Sequence, residues 1–427
     1  MNSEQQTANT NSLTAAKRFF SNNSYISTII NKSVLRLKET FTNEQLEYLF
    51  SKITYLNNET DITKVVSEWS NIYINLIKEN YQKSYKNYNK KLNTFLNKKD
   101  DGVKIIWGDC LKVMNGMLSE SIHLMVTSPP YYNAREYSHW NNLNEYLNYM
   151  RLIIREAYRV LDNHRVFVFN VGDIFDNDNI ATKSTWGKRR IPLGAYFTKI
   201  FEEEGFTFVD DFIWDKGEVQ SERHKNGNKP FPFYQYPMNC YEHILIFHKH
   251  RKDTTRYPCP VCGCLNVNGN AYSEIGLKSW ECKNTDCFKR SNANRGKRFS
   301  LKTIMTQSRQ EKQHAIDADF IKKWRRDIIK INPVIKINSK GENKLGHTAP
   351  FPIEIPEMAI KLFSYKNEVV LDPFAGSFTS VIAAKQLERV GVGIELNKSM
   401  FEKSIRSNLQ NKLKFCNNPK IEELNYE

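Results

Sequence analysis

The sequence predicts an α/β fold built on a mostly parallel sheet, preceded by a helical region and interrupted by a basic insert. Three observations predict it. From residue 101 onward, short β-rich runs alternate with amphipathic stretches, the pattern of parallel strands joined by helical crossovers. The first hundred residues instead space apolar side chains at three and four, which is helical. Between Lys216 and Leu345 stand 26 Lys and Arg against 12 Asp and Glu, nearly the whole net charge of +15 carried by the 427 residues.

The elements follow in order. "NEQLEYLFSKITYL" and "VVSEWSNIYINLIKENYQKSY" are amphipathic helices, with Asn43 before Glu44 as a cap. Residues 1–100 carry no catalytic constellation and read as an accessory region. At "DGVKIIWGDC" the pattern changes to a β-rich run ending in Gly108-Asp109, followed by the helix "LKVMNGMLSES" and the strand "IHLMV". In "TSPPY" two prolines lack backbone N–H groups, so the strand must end at Ser128. "LNEYLNYMRLIIREAYRVL" is a helix, "HRVFVFNVGDI" a strand, "IPLGAYFTKIFEEEGF" a helix and "TFVDDFIWDKG" a strand. From Gly217 the text turns basic, polar and turn-rich, with one further strand at 241–249. Alternation resumes with the helix "PIEIPEMAIKLFS", the strand and turn "NEVVLDPFAGS", the helix "FTSVIAAKQLE" and the strand "RVGVGIELN". The expected regions are 1–100, 101–216, 217–345 and 346–427, with 241–249 as a candidate to join the sheet.

A chain of this length exceeds one ordinary core, and 40% hydrophobic content suits a globular protein. No apolar stretch approaches the ~20 residues that span a bilayer, and the first twenty residues lack a signal-peptide apolar region. The expectation is a cytoplasmic protein without a membrane partner. Eight cysteines in such a chain suggest metal binding or free thiols rather than disulfides. Charge concentrated in one segment suggests a polyanion, hence nucleic acid, over the plainer reading of a solvated basic loop.

Five cysteines cluster inside the basic segment. Cys259 and Cys262 form C-x2-C; after 19 residues Cys282 and Cys287 form C-x4-C. Two such pairs suit one tetrahedral Zn²⁺. Four cysteines close the coordination sphere, so the expected zinc is structural. Gly263 relaxes the turn, and Cys264 is a spare able to replace Cys262.

Two further turns lie at predicted strand ends. "VVLDPFAGSFTSVIAA" places a glycine-bearing turn between strand and helix, where α/β sheets bind ligands. "VGVGIELN" follows with Glu395, placed to accept hydrogen bonds from ribose hydroxyls. No P-loop and no clean G-x-G-x-x-G occurs.

Together, "TSPPY" and "DPFAGSFTS" resemble the [DNS]-PP-[YFW] catalytic loop and the DPF-x-GSGT cofactor loop of the amino-group DNA methyltransferases. The catalytic loop precedes the cofactor loop with a basic segment between, an order similar to the permuted β group. The resemblance covers about 103–410. It implies a doubly wound Rossmann-like methyltransferase sheet, S-adenosylmethionine as cofactor, and double-stranded DNA as substrate, read by a target-recognition insert. It also implies a restriction-modification setting in bacteria or archaea, whose endonuclease is a functional rather than a physical partner. Asp372 would contact the methionine part of the cofactor, and Pro373, Phe374, Gly376 and Ser377 would form the loop around it. Glu395 would hold the ribose and Asp109 would lie near the adenine. "HTAPFPIEIP", His347 to Pro356, resembles the segment beside the methionine part. Phe378 departs from the pattern, standing where the family usually has glycine, which bears on backbone clearance.

An exocyclic amino group is a poor nucleophile because its lone pair is delocalised into the ring. The resemblance makes Ser128 Oγ and the Pro129 carbonyl two acceptors for its hydrogens, with Pro129 and Pro130 preorganising the carbonyl. Tyr131 would stack on a base flipped from the helix. Ser at the first motif position implies cytosine N4; adenine N6 is the alternative. A zinc-containing DNA-binding protein with an inactive methyltransferase fold is the reading from another class, and an RNA methyltransferase a further one. Carbon-5 chemistry would need a Pro-Cys nucleophile, and Pro258-Cys259 is taken by the zinc pattern. Tyr132, Tyr137, Trp140 and Asp173 have local packing or turn roles as plain alternatives. Arg189, Arg190, Lys322, Lys323, Arg325 and Arg326 are possible phosphate contacts.

Overall fold

The computed structural model describes residues 24–53, 61–83, 87–98, 103–132, 140–175, 190–217, 239–251, 255–272, 278–287, 298–300, 316–334, 352–413 and 420–426. Arg189, Tyr137 and His347 to Phe351 lie outside the described residues. The chain forms two compact units, each made of two segments: residues 1–84 with 251–315, and residues 85–250 with 316–427.

In the first unit, helices α1 (Ser24–Thr40), α2 (Asn43–Ile53) and α3 (Ile62–Lys83) meet a three-stranded sheet of β8 (Val267–Tyr272), β9 (Lys278–Cys282) and β10 (Arg298–Ser300), ordered β10-β9-β8. Their apolar faces share one core, in which Leu37, Leu49, Trp69 and Tyr73 pack with Cys259, Leu265 and Trp280. The Trp69 indole donates to the Gly263 carbonyl at 2.9 Å, and the Leu265 amide donates to Ser33 Oγ at 2.9 Å.

The second unit begins with α4 (Lys90–Asn97), capped by Asn89. Its sheet then collects β1 (Val103–Gly108), β2 (Ile122–Thr127), β3 (Leu161–Val171), β6 (Phe206–Asp215), β7 (Tyr241–Lys249), β11 (Ile328–Lys330), β12 (Val369–Asp372), β13 (Val390–Glu395) and β14 (Ile421–Tyr426). The order is β11-β6-β7-β3-β2-β12-β13-β1-β14. Only β7 runs against its neighbours β3 and β6; the remaining pairs are parallel. A small pair, β4 (Ile174–Phe175) and β5 (Arg190–Ile191), lies apart from it in hydrogen bonding.

Period-two alternation sorts the strand side chains onto two faces. Phe167, Phe169, Leu245 and Phe247 pack with α5 (Cys110–Gly116), α6 (Leu143–Val160) and α7 (Leu193–Glu203). Val168, Ile244, Ile246, Leu124 and Val126 pack with α8 (Ala318–Trp324), α9 (Glu354–Phe363) and part of α10 (Thr379–Gln386). Near β1, α10 and α11 (Lys398–Ser404) cover Val103 and Ile105 together with a π-helical turn, Ile405–Leu409. The sheet is buried on both faces, as a doubly wound fold requires.

These units divide the chain differently from the sequence-based regions. Residues 24–83 and the cysteine segment bury a common apolar core, so neither stands as a separate layer. Helix α4 goes with the sheet because Leu92 enters its core and the buried Lys104 ammonium caps the carbonyls of Phe95, Leu96 and Lys98. Strands β7 and β11 belong to the sheet, and α8 packs in the same core, to which it gives Trp324 and β11 gives Ile329.

Candidate functional site

Four neighbouring strands, β2, β12, β13 and β1, end on the same edge of the sheet. The carboxyl ends of parallel strands are where such sheets bind ligands. Ser128, Pro129, Pro130 and Tyr131 leave β2; Asp372 to Ser377 leave β12; Glu395 ends β13; Asp109 follows β1. Strand pairing therefore gathers both predicted loops, although Tyr131 and Asp372 are 241 positions apart in the chain.

The two loops are tied directly. Thr127 Oγ1 donates to Asp372 Oδ1 at 2.6 Å, Ser380 Oγ donates to Asp372 Oδ2, and the Phe374 amide donates to Oδ1 at 3.0 Å. Burial pushes the Asp372 carboxyl up to about 6, and these donors pull it partly back. The carboxylate thus faces protein hydroxyls and anchors the start of its own loop. Of the three residues, only Asp372 was a candidate on sequence; Thr127 and Ser380 stood in the quoted motifs without being singled out.

Farther along the loop, the Gly376 amide donates to Glu395 Oε2 at 3.0 Å and the Asn397 amide to Oε1 at 2.7 Å. Burial raises the Glu395 carboxyl, opposed by these backbone donors. The Ser377 carbonyl accepts from Asn408 Nδ2 at 2.5 Å, so the π-helical turn holds the loop from behind. Phe378 caps α10 with φ 60°, a left-handed conformation that explains why glycine suits this position. Its ring is fully buried against Phe401, in the core beneath the sheet's end.

Asp109 caps α5, accepting from the Lys112 amide at 3.0 Å, and also accepts from Tyr149 Oη at 3.1 Å. Trp107 pairs in register with Glu395 and donates to the Leu396 carbonyl at 3.0 Å. Leu396 itself is 64% exposed.

On the other loop, the Pro130 carbonyl accepts from the buried Tyr146 at 2.9 Å. Tyr131 Oη donates to Glu242 Oε2 at 2.9 Å and lies 3.5 Å from Ser128 Oγ. Lys216 Nζ pairs with Glu242 Oε1 at 3.0 Å. Burial, then the Glu242 charge, hold the Tyr131 phenol well above its usual range, so it is a neutral donor. Glu242 had no sequence signal beyond its place in the strand "YEHILIF".

Five of the other candidates have structural partners. Tyr132 and Trp140 pack against Tyr146. Asp173 accepts from the Gly194 amide at 3.4 Å and from Asn239 through its carbonyl at 2.7 Å. The Arg190 guanidinium lies over the rings of Phe175 and Tyr241. Lys323 lies over Trp324. Cys110 is a buried core thiol, raised by burial and then by Asp109.

In the first unit, the sulfurs of Cys259, Cys262, Cys282 and Cys287 lie within 4.8 Å of one another, and all four residues are buried. Cys262 and Cys282 approach to 3.6 Å. Gly263 adopts φ 71°, closing the turn with its amide on the Cys259 carbonyl at 2.8 Å. Cys264 stands outside the cluster and accepts from Asn284 Nδ2 at 3.3 Å. No described helix is long and apolar enough to cross a membrane.

The profile of a family described as DNA methylase matches residues 122–406. The type II beta methyltransferase M.BslI of Bacillus sp. (strain NEB-606) is 41% identical over 315 residues, 74% of this chain and 28% of that protein. The chain thus spans under a third of that relative's length. The type II methyltransferase M.MjaI of Methanocaldococcus jannaschii is 27% identical over 344 residues, 70% of this chain and 88% of that one. The crystal structure of a putative DNA modification methylase from Thermus thermophilus, complexed with S-adenosyl-L-methionine, aligns over 75% of this chain and 99% of that chain, with 21% identity and a TM-score of 0.48.

Proposed function

The chain belongs to the N6/N4 DNA methylase family, and from that premise we propose that it is a site-specific DNA methyltransferase of a restriction-modification system, transferring a methyl group from S-adenosylmethionine to N4 of a cytosine flipped out of double-stranded DNA. The observation that carries this reading is the direct bond from Thr127, next to Ser128, to Asp372 at the head of the opposite loop. It sets the two loops side by side at one sheet edge.

The residues present fit the cofactor. Glu395 is fixed by backbone amides, and a carboxylate has about four acceptor sites, leaving capacity for a ribose diol. Leu396 offers an exposed apolar surface beside it, suited to an adenine ring. Asp109 lies at the adjoining strand end, and Pro373, Phe374, Gly376 and Ser377 make the turn that would enclose the methionine part. Asp372 acts on that part through the loop it anchors. When bound, the cofactor supplies an electrophilic methyl group.

The chain supplies the nucleophile's environment. Ser128 Oγ and the Pro129 carbonyl accept the two amino hydrogens, which withdraws the nitrogen lone pair from ring conjugation. The fixed φ of proline holds that carbonyl without reorganisation. Tyr131 stacks on the base. Ser128 at the first motif position supports cytosine N4 over adenine N6.

The four-cysteine cluster supports a structural Zn²⁺. Zinc–thiolate bonds of about 2.3 Å in a tetrahedron set sulfurs about 3.8 Å apart, compatible with the spacing of Cys259, Cys262, Cys282 and Cys287. The basic segment around it is the proposed target-recognition region, and the cognate endonuclease a functional partner.

Nucleoside mass spectrometry of DNA from cells expressing the protein, against cells expressing Ser128→Ala, tests the reaction. Excess N4-methylcytosine supports the reading, and N6-methyladenine assigns the other base. No modified base in either culture returns the weight to an inactive DNA-binding protein.

A further inference from the structure

We propose that Glu242, braced by Lys216, is a positioning residue that fixes the phenol of Tyr131 and sets the direction of the hydrogen bond between Tyr131 and Ser128. This deepens the methyltransferase reading and rests on it.

The catalytic turn needs such a device. Two prolines stiffen the backbone through Pro130, and Tyr146 holds the Pro130 carbonyl. Neither fixes the Tyr131 side chain, whose ring turns about two further bonds. The ring is caught at its far end instead, where Oη donates to Glu242 Oε2 at 2.9 Å. The other carboxylate oxygen meets Lys216 Nζ at 3.0 Å, so the acceptor is itself immobilised. A hydrogen bond to a charged acceptor is among the stronger ones.

The packing is tight at Gly172, so that any side chain there would press on Glu242. A Cβ there would fall 3.0 Å from Glu242 Cγ and 3.3 Å from its carboxyl carbon. Gly172, directly after β3, thus leaves room for the Glu242 stem.

The chemistry follows from counting protons. A phenol has one, and here it goes to Glu242. In the 3.5 Å contact Tyr131 therefore offers only a lone pair, and a hydrogen bond there is donated by the Ser128 hydroxyl. That turns the Ser128 lone pairs away from Tyr131 and makes Oγ available as an acceptor for an amino hydrogen. Glu242 orients Ser128 without touching the base, two hydrogen bonds away.

The test is a double-mutant cycle on the full chain with Tyr131→Phe and Glu242→Gln. In Glu242→Gln the amide oxygen is drawn to Lys216, so the NH₂ faces Tyr131 and the hydrogen-bond direction reverses. Each single variant is expected to lower kcat about ten- to a hundredfold, the range for misplaced reacting groups, with cofactor affinity unchanged. The double variant should be no slower than Tyr131→Phe, because Glu242 acts through that one hydroxyl. Multiplying effects, or Tyr131→Phe with wild-type kcat, would overturn the proposal. Tyr131→Ala separates it from the underlying reading. Activity equal to wild type in Tyr131→Ala would remove the stacking role itself, whereas an inactive Tyr131→Ala beside a fully active Tyr131→Phe would remove only the role of Glu242.

Discussion

Thr127 donates its hydroxyl to Asp372 at 2.6 Å, across the parallel pairing of β2 with β12. The bond joins the last residue of one strand to the last residue of its neighbour, and each begins a loop of the proposed site. Thr127→Val keeps the shape and removes the donor. Hydrogen bonds to charged groups contribute about 1.5–3 kcal/mol, so a loss of that order in unfolding free energy is expected by urea denaturation. An unchanged midpoint would show that Ser380 and the Phe374 amide suffice for the carboxylate.

Asp372 also sets a pH dependence. Burial raises its carboxyl to about 6, from an ordinary 3.8, with Ser380, Thr127 and the Phe374 amide opposing the shift. Because the folded value is the higher one, the folded chain holds a proton between about pH 4 and 6 that the unfolded chain has released. The contribution to stability is fully present below about pH 4 and is lost as pH rises through 6. Two pH units correspond to about 3 kcal/mol at most. Unfolding free energies across this window should fall less steeply with pH in Asp372→Asn than in the native chain; equal slopes would assign the dependence to other groups.

Ser128→Ala should lower turnover, with cofactor affinity retained. Ser128 Oγ lies near Tyr131 Oη, while the loop proposed to enclose the cofactor is held by Glu395, Asn408 and Asp372. Loss of one preorganised hydrogen-bonding group costs about 10²–10³ in kcat in well-studied acyl-transfer sites, and a fall of that order is expected here. Isothermal titration with cofactor supplies the control. Parallel losses of binding and turnover would make Ser128 a support for the loop rather than a contact for the base.

Metal analysis should find one zinc per chain, retained in Cys264→Ser and lost in Cys282→Ser. Cys264 stands outside the sulfur cluster, on Asn284. Because the cysteines share their core with Trp69 and Tyr73, stripping zinc with a chelator should raise the protease sensitivity of α1 to α3 as well as of the cysteine segment. Metal loss without any change in cleavage would limit the zinc to a local brace.

The sheet was legible in the sequence because strands buried on both faces, such as "IHLMV" and "VFVFNV", read as apolar runs, and the prolines and glycines after them mark their ends. The loops at the site were legible for the same reason. Strand β14 was not, since "IEELNY" buries only alternate residues at the sheet's edge. Nor was the pairing of residues 24–83 with the cysteine segment, which depends on contacts such as Trp69 with Gly263, 194 positions apart. Glu242 and Thr127 escaped notice because their roles come from strand register, which single residues do not announce.

At Phe378, backbone strain opposes the burial of an aromatic ring. Its φ of 60° places a bulky residue where glycine is at ease, and left-handed backbone costs about 1–2 kcal/mol for a residue with a Cβ. Its ring is fully buried against Phe401, at a centroid distance of 5.8 Å. It also lies over Gly393, where an added Cβ would fall 2.9 Å from Phe378 Cδ1. Emptying such a site costs about 3–5 kcal/mol, more than the backbone strain. Phe378→Gly should therefore be less stable than the native chain by about 2 kcal/mol, the excess of the packing loss over the strain relieved. Phe378→Ala keeps the strain, loses the ring, and should be less stable still. Urea unfolding of the two variants separates the terms: a glycine variant as stable as the native chain would mean that the ring contributes no more than the strain it imposes, and an alanine variant equal to the glycine one would mean that the left-handed backbone costs nothing here.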